Sequence, residues 1–281
     1  MGHCIKAEDV KQAAERIKCY VHRTPVMTCT MIDDLSRHEL FFKCEVFQKS
    51  GAFKIRGACN AVMSLSDEEA GKGVITHSSG NHGGAVALAA KMRGVSATVV
   101  VPETTPQCKI DAIEGYGGTV VKCEPTMDGR EKTCEALMKS TGAIFLHPYN
   151  DPRVMAGQGT IALELLEQVP QLSAIVVPVS GGGMISGIAV AAKAANKDIK
   201  ILAAEPIGTN DAADVLRCKE AGEIVLCEKP KTIADGLQGR LGSNTWPVVR
   251  DLVDGVVPVT EQEIINAMQL CYERMKVVVE P

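Results

Sequence analysis

The chain has 281 residues, 46% of them hydrophobic, a formal net charge of -4 and a pI near 5.9. That length supports a sizeable core in one large domain or two smaller ones, and the composition excludes a disordered chain. No run of lysines and arginines is interleaved with aromatics, which argues against a nucleic-acid partner. Lys6, Glu8, Asp9 and Lys11 interrupt any apolar core of a secretory signal, and no apolar stretch reaches the ~18 residues of a spanning helix, so no membrane association is expected. The 11 cysteines are odd in number and include no C-x-x-C pair, which suits neither a disulfide framework nor a zinc site. They indicate a reducing, cytoplasmic compartment, with Cys44, Cys59 and Cys271 read as small apolar fillers.

In chain order, the first informative stretch is Ser50-Gly-Ala-Phe-Lys54-Ile-Arg-Gly57. Ser50 is a good N-cap and Phe53 to Leu65 has helical spacing, so Lys54 is expected in a first helical turn, where the macrodipole disfavours a cation. Phe53 and Ile55 add desolvation, and a lysine with a lowered pKa is suited to forming an imine with an aldehyde. Taken alone, Lys54 reads equally as an ordinary solvated lysine. Gly73 to His77 reads as a strand, followed by Ser78-Ser-Gly-Asn-His82-Gly83 and a helix from near Asn81. Hydroxyls, an amide, an imidazole and a helix N-terminus together suit a small carboxylate; Ser79 as a plain cap and His82 as a satisfied core histidine fit the same residues.

Further strands are expected over Ser96 to Val101, Gly118 to Cys123, Ala143 to His147, Ala174 to Val179 and Ile199 to Ala204, with helical stretches between most of them. Their lack of polar alternation predicts strands buried on both faces, hence an α/β protein of mostly parallel sheets flanked by helices. Residues 66–148 carry four of the strands and are expected to form a small domain inserted into a large one made from 1–65 and 149–281. Glu261 to Val279 has helical spacing with Ile264, Ile265, Met268, Cys271 and Met275 on one face, which predicts a core stripe.

The strand Ala174 to Val179 runs into Ser180-Gly181-Gly182-Gly183-Met184 and a helix over Ile185 to Ala195. Three glycines leave backbone N–H groups bare at the positive end of a helix, an arrangement that cradles phosphate; a tight turn without a ligand is the alternative. Gly181-x-Gly183-x-x-Ser186 with Glu205 beyond also nearly fits a dinucleotide fingerprint, though Ser186 replaces its third glycine.

Taken together, Lys54, the Ser-Ser-Gly-Asn-His loop and the glycine turn resemble the eukaryotic serine racemases, within the fold-type II pyridoxal-phosphate enzymes of tryptophan synthase β-like fold. The resemblance spans nearly all of the chain. It also includes Phe41-Phe-Lys-Cys-Glu45, Ala156-Gly-Gln-Gly-Thr-Ile-Ala-Leu-Glu164, Ile233-Ala-Asp-Gly236, Asn244-Thr-Trp-Pro247 and Glu273-Arg-Met-Lys276. It implies that Lys54 forms the imine with pyridoxal 5'-phosphate and serves as base on one face of the substrate α-carbon, with Ser79 on the other. Phe53, Asn81 and Gly236 would contact the cofactor ring, and Gly181, Gly182, Gly183 and Met184 its phosphate. Ser78, Ser79, Asn81, His82 and Arg130 would contact a small amino-acid substrate. Two bases on opposite faces imply racemisation of serine, with β-elimination of its hydroxyl to pyruvate and ammonia as the companion reaction.

Related serine, threonine and hydroxyaspartate ammonia-lyases form the neighbouring alternative; many carry alanine where Ser79 stands, although some hydroxyaspartate dehydratases also have serine. The resemblance further implies Mg²⁺ or Ca²⁺ at Glu205, Thr209 and Asp211, although Asn210-Asp211 alone reads as an ordinary turn. It also implies an ATP effector site near Lys49, Tyr116 and Lys276, in a homodimer, with Gly84 in place of a glutamine found in several relatives. Two departures bear on substrate range. Arg240 replaces a small serine, and its guanidinium either receives an acidic side chain or points to solvent; Tyr149 replaces an asparagine. Relatives continue past Val277-Val-Val-Glu-Pro281 with a small-residue segment that faces the pyridine nitrogen, so a molecule ending there is expected to be a weakly active or unstable subunit.

Overall fold

Each β-branched run feeds a turn bearing glycines or hydroxyls and then an Ala-rich helix, and the chain folds as an alternation of the two. The computed structural model describes residues 2–78 and 80–281, with the backbone alone for Met127. The first third contains α1 (Ala7–Ile17), β1 (Val26–Met27), α2 (Thr30–Ser36), β2 (Phe42–Lys43), α3 (Lys54–Met63), α4 (Asp67–Gly71), β3 (Val74–His77) and α5 (Asn81–Arg93). Next come β4 (Ala97–Pro102), α6 (Gln107–Gly115), β5 (Thr119–Cys123), α7 (Met127–Thr141), β6 (Ile144–Phe145) and α8 (Pro152–Gln168). The remainder is β7 (Ala174–Pro178), α9 (Gly183–Ala195), β8 (Lys200–Pro206), α10 (Asp214–Ala221), α11 (Thr245–Leu252), β9 (Gly255–Val259) and α12 (Glu261–Leu270).

Two parallel sheets organise these elements. One has the order β5-β4-β3-β6, with Val74 of its central strand opposite Ala97 on one side and Ile144 on the other. The other runs β7-β8-β9, with Ala174 opposite Lys200 and Leu202 opposite Gly255. A two-stranded antiparallel pair, β1-β2, stands apart from both. All six expected strands form; β1, β2 and β9 are additional.

Burial on both faces holds for β3, every residue of which is buried, and nearly so for β4. It fails for β7, where burial alternates: Ile175 and Val177 are in the core while Val176 is 60% exposed. The apolar helices α8, α9 and α11 share one cluster with Ile175, Val177, Ile201 and Ala203, whereas Val176 and Val257 on the other residues of the sheet remain at the surface. The stripe expected to be core at the C-terminal end is also corrected. Helix α12 ends at Leu270, a π-turn follows over Cys271–Met275, and none of these residues is buried because no described element covers them. Cys44 and Cys59 are buried fillers as expected, and Cys271 is half-buried.

The helix carrying Lys54 does not begin with a Ser50 cap. Ser50 lies in the left-handed region at φ 61 with its hydroxyl buried and without a partner among the described residues, and Phe53, already helical, occupies the capping position. What fixes α3 instead is Arg56, a fully buried guanidinium. Its Nε donates to Glu45 at 2.7 Å and its Nη1 to Glu164 at 2.7 Å, with Nη2 reaching both carboxylates. Lys43 adds a 2.7 Å bond to Glu164, and Thr24 donates to Glu45 at 2.6 Å. Two bidentate carboxylates need the planar fork of arginine; a lysine offers a point charge.

Helix α8 provides the second constraint. It starts on an Asp151 cap, with Pro152 in its first turn, and its Gly157 packs on α3 so tightly that a Cβ would come 2.6 Å from the Arg56 carbonyl. On its other side, a Cβ at Gly159 would come 2.7 Å from the Gly187 carbonyl of α9. One helix therefore sets the separation of α3 and α9, the two helices whose first turns form the site described below. Two outcomes follow for urea unfolding. Arg56→Met strands two partly buried carboxylates and costs about 3–5 kcal/mol, and Gly157→Ala forces α3 and α8 apart at about 1–3 kcal/mol. A loss below about 1 kcal/mol for Arg56→Met would contradict the clamp, since ordinary surface substitutions fall within that range.

Candidate active site

Lys54 is the first residue of α3, as expected, and its amine is buried. Nζ donates to the Pro148 carbonyl at 3.1 Å and stands 5.1 Å from the centre of the Phe53 ring. Burial lowers its pKa to about 8, so a substantial neutral fraction exists near physiological pH. Desolvation is the cause.

The turn after β3 faces this amine. Thr76 Oγ1 donates to the Leu146 carbonyl at 2.7 Å, and His82 Nε2 bonds the same carbonyl at 3.3 Å. A carbonyl only accepts, so Nε2 carries the proton and Nδ1 of the neutral ring is an acceptor. Burial first, then the Lys54 charge, push the His82 pKa down to about 3, which keeps that ring neutral. His147 behaves likewise, lowered to about 4 by burial and by His77, and its Nδ1 accepts from Tyr149 and Asn150 backbone N–H groups at 3.3 and 3.0 Å. Ser78 is half-buried, with its hydroxyl accepting from Gly80 N–H at 3.2 Å, and Asn81 opens α5. Ser79, expected as the second base, lies outside the described residues. His82 Nδ1 and, on α7, Arg130 Nε are buried without a partner among the described residues, a costly condition that a bound ligand can relieve.

The glycine turn lies beyond Tyr149. Gly182 takes φ 85 and α9 opens without any side-chain cap, so its first N–H groups are available to an anion. Close packing is a further reason for the consecutive glycines, beside ligand access and a tight turn: a Cβ at Gly181 would strike the Tyr149 ring, and one at Gly183 would come 2.8 Å from the Tyr149 carbonyl. Thr245 Oγ1 donates to Gly181 O at 2.8 Å, and Ser180 Oγ accepts from Gly239 N–H at 2.7 Å, fixing the turn from behind. Met184 is half-buried at the start of α9. Gly236 lies in a 3-10 turn over Asp235–Leu237 with open space beside its Cα, and Lys109 of α6 bonds Asp235 at 2.9 Å.

Other expected positions are engaged differently. The Glu205 carboxylate accepts from Val215 and Leu216 N–H groups at 3.1 and 2.8 Å, while Asp211 pairs with Arg217 at 3.3 Å. Among the described residues no three His, Cys, Asp or Glu side chains group as a metal site, and the Thr209 N–H bonds the Lys231 carbonyl. Lys49 lies in the turn before α3, Tyr116 caps α6 beside Gly84, and Lys276 takes the left-handed conformation after the π-turn. Arg240 donates to the Cys227 carbonyl at 2.6 Å, which ties its guanidinium to the chain's own backbone. A shallow cavity of about 440 Å³ lined by Phe145, His147, Asn150, Asp151, Pro152 and Arg153 shares His147 with the site but contains no candidate nucleophile.

A buried amine with a lowered pKa, bonded to the carbonyl of the residue before Tyr149, whose ring backs an uncapped, glycine-lined helix N-terminus, suits a phosphorylated aldehyde. This defines a class of enzyme that works on a lysine-bound, anion-anchored cofactor. The chain belongs to the pyridoxal-phosphate dependent enzyme family, which matches residues 17–281. It is 56% identical over 272 residues to a serine racemase of Arabidopsis thaliana, covering 97% of this chain and 81% of that protein. Its fold is similar to that of maize serine racemase, with a TM-score of 0.97 at 51% identity, covering 99% of this chain and 84% of the other. It is also similar to a pyridoxal 5'-phosphate-dependent aspartate racemase, with a TM-score of 0.93 at 43% identity, covering 100% and 87% of the two chains. The fold class and the cofactor class expected from the sequence are thereby established. The dinucleotide alternative is set aside by the same match.

Tyr149, Arg56 and the glycines of α8 all stand in or beside the sequence motifs, but their packing roles are not legible there, because each acts through a distant partner. Tyr149→Ala removes the ring behind Gly181 and is expected to weaken pyridoxal phosphate binding ~10-fold or more, as the lost aromatic packing, about 1–2 kcal/mol, loosens the glycine turn and also lowers apoprotein melting. Unchanged affinity would remove the backing role. His82 gives a pH test. Its pKa falls from an ordinary 6.5 to about 3 in the fold, so the unfolded chain takes up a proton that the folded chain refuses, and stability is lost as pH falls through that window. The stability gap between the wild-type protein and His82→Gln therefore narrows by about 1.4 kcal/mol per pH unit below the ordinary histidine value. Parallel urea profiles at neutral pH and pH ~5 would contradict this.

Proposed function

We propose that the chain interconverts L- and D-serine with pyridoxal 5'-phosphate and also eliminates water from serine to give pyruvate and ammonia. The observation that carries this reading is the buried Lys54 amine, its pKa lowered to about 8, beside an uncapped helix N-terminus, in a chain about half identical to serine racemases.

Lys54 would hold the cofactor through its amine, with Phe53 and Gly236 near the ring and Asn81 near the ring hydroxyl. Gly181, Gly182, Gly183 and Met184 would offer N–H groups to its phosphate. When bound, the cofactor supplies an electron sink that makes the substrate's α-hydrogen acidic. Once the substrate's amine has taken its place on the cofactor, the freed Lys54 Nζ would remove or return that proton on one face of the α-carbon, and Ser79 Oγ would do so on the other. Ser78, Asn81 and Arg130 receive the substrate carboxylate, together with backbone N–H groups at the start of α5. His82 Nδ1, an acceptor, suits a hydroxyl or ammonium donor of the substrate and not its carboxylate. A substrate that has lost its α-proton would expel its β-hydroxyl as water, the leaving oxygen taking up a proton, and the enamine released would add one water and lose ammonia to give pyruvate. The Arg240 bond to Cys227 O favours serine over an acidic substrate.

The remaining parts of the reading rest on the resemblance and on cysteine usage. They are a domain division of 1–65 with 149–281 against 66–148, a divalent cation (Mg²⁺ or Ca²⁺) at Glu205, Thr209 and Asp211, and ATP near Lys49, Tyr116 and Lys276. A homodimer and a cytoplasmic location complete it. The division is supported by the four-stranded sheet, whose strands all lie within 74–145.

Chiral analysis of serine with a keto-acid assay tests the function. The wild-type protein is expected to racemise serine faster than aspartate and to release pyruvate. Ser79→Ala should lower racemisation ~100-fold or more, as befits loss of one acid-base group, while elimination of L-serine persists. Equal loss of both reactions would contradict the two-base assignment, and absence of racemisation in the wild type would leave the ammonia-lyase alternative.

A further inference from the structure

After the π-turn, Lys276 adopts φ 59, Val277 N–H bonds the Cys271 carbonyl at 3.2 Å and the Val277 side chain is buried at 7% exposure. This anchored turn sends the next residues across to the start of α5. There Glu280 Oε2 accepts from the Asn81 side-chain amide at 2.7 Å, a contact between positions 199 residues apart. Asn81 is the first residue of α5 and its Gly80 cap has no side chain, so the carboxylate also lies at the positive end of the helix.

We propose that Glu280 is a positioning residue that fixes how Asn81 faces the cofactor. An asparagine amide can be turned either way, with nearly the same shape and opposite hydrogen-bonding character. An ionised carboxylate only accepts, so it admits the amide only with its NH₂ group inward. One N–H is held by Glu280, and the other N–H and Oδ1 are directed away from it. The orientation that Asn81 presents to a ring hydroxyl is thereby chosen by a residue that itself need not touch the ring. Sequence motifs gave no hint of this, because the two residues belong to different elements at opposite ends of the chain.

The inference rests on the assignment of Asn81 to the cofactor ring, and a double-mutant cycle read on pyridoxal phosphate binding separates the two. Apoprotein is titrated with the cofactor, its affinity and the pH midpoint of its visible absorbance are recorded, and apoprotein melting is measured in parallel. Glu280→Ala is expected to weaken affinity ~10-fold, the usual weight of a hydrogen bond to a charged group, and to shift the pH midpoint. In Asn81→Ala the further Glu280→Ala change should have no effect on either, because its partner is gone. Glu280→Gln, which still offers an acceptor oxygen, should recover part of the affinity. Unchanged affinity and midpoint in Glu280→Ala overturn the inference alone, as do additive losses or a melting loss as large in the double variant. Failure of the wild-type protein to bind the cofactor overturns it together with the functional reading.

Discussion

The spacing between two helix starts is the constraint on which the rest of the structure depends, and α8 sets it. Gly157 admits the backbone of α3 on one side and Gly159 admits that of α9 on the other. Packing this close leaves no room for side chains to absorb a change, since protein interiors are dense and weakly compressible. The first turn of α3 carries Lys54 and the first turn of α9 carries the glycine N–H groups. Their separation is therefore a property of backbone contacts and not of flexible side chains. The Arg56 clamp does the complementary task of keeping α3 from rotating about its axis, because two carboxylates on separate elements must both be met. A fully buried guanidinium is costly in isolation, and here the paired carboxylates offset that cost.

Electrostatics at the site follow from burial. The amine of Lys54 bonds a carbonyl, and the imidazoles of His82 and His147 face it as neutral rings. Desolvation opposes every positive charge in this cluster, so the amine is biased toward the form that can attack a carbonyl carbon. The same desolvation leaves His82 Nδ1 and Arg130 Nε without partners among the described residues. A fold tolerates such groups where a ligand completes them: His82 lies in the first turn of α5, and the Arg130 charge acts on His77 at the end of β3.

The local parts of this arrangement were legible in the sequence. Short β-branched runs gave six strands, and the turns at Ser78 and at Gly181 each fell between a strand and a helix, as the runs required. What escaped was whatever depends on distant partners. Arg56 reads as an ordinary helical arginine until Glu45 and Glu164 are brought to it. The left-handed Ser50 looks like a helix cap because a cap and a turn residue share the same composition. β1 and β2, two residues each, are too short to give any periodic signal. The apolar stripe near the C-terminus shows the opposite failure. Its spacing is helical and its residues are apolar, yet periodicity reports which face is apolar and says nothing of what covers it.

Reductive trapping of the Lys54 amine tests the account most directly. Apoprotein is incubated with pyridoxal phosphate, reduced with borohydride across a range of pH and mapped by mass spectrometry. The account predicts that the cofactor is fixed to the peptide containing Lys54, with a yield that rises through a midpoint near the lowered pKa of about 8. Trapping on another lysine, or a Lys54 midpoint at the ordinary lysine value of 10.5, would contradict it.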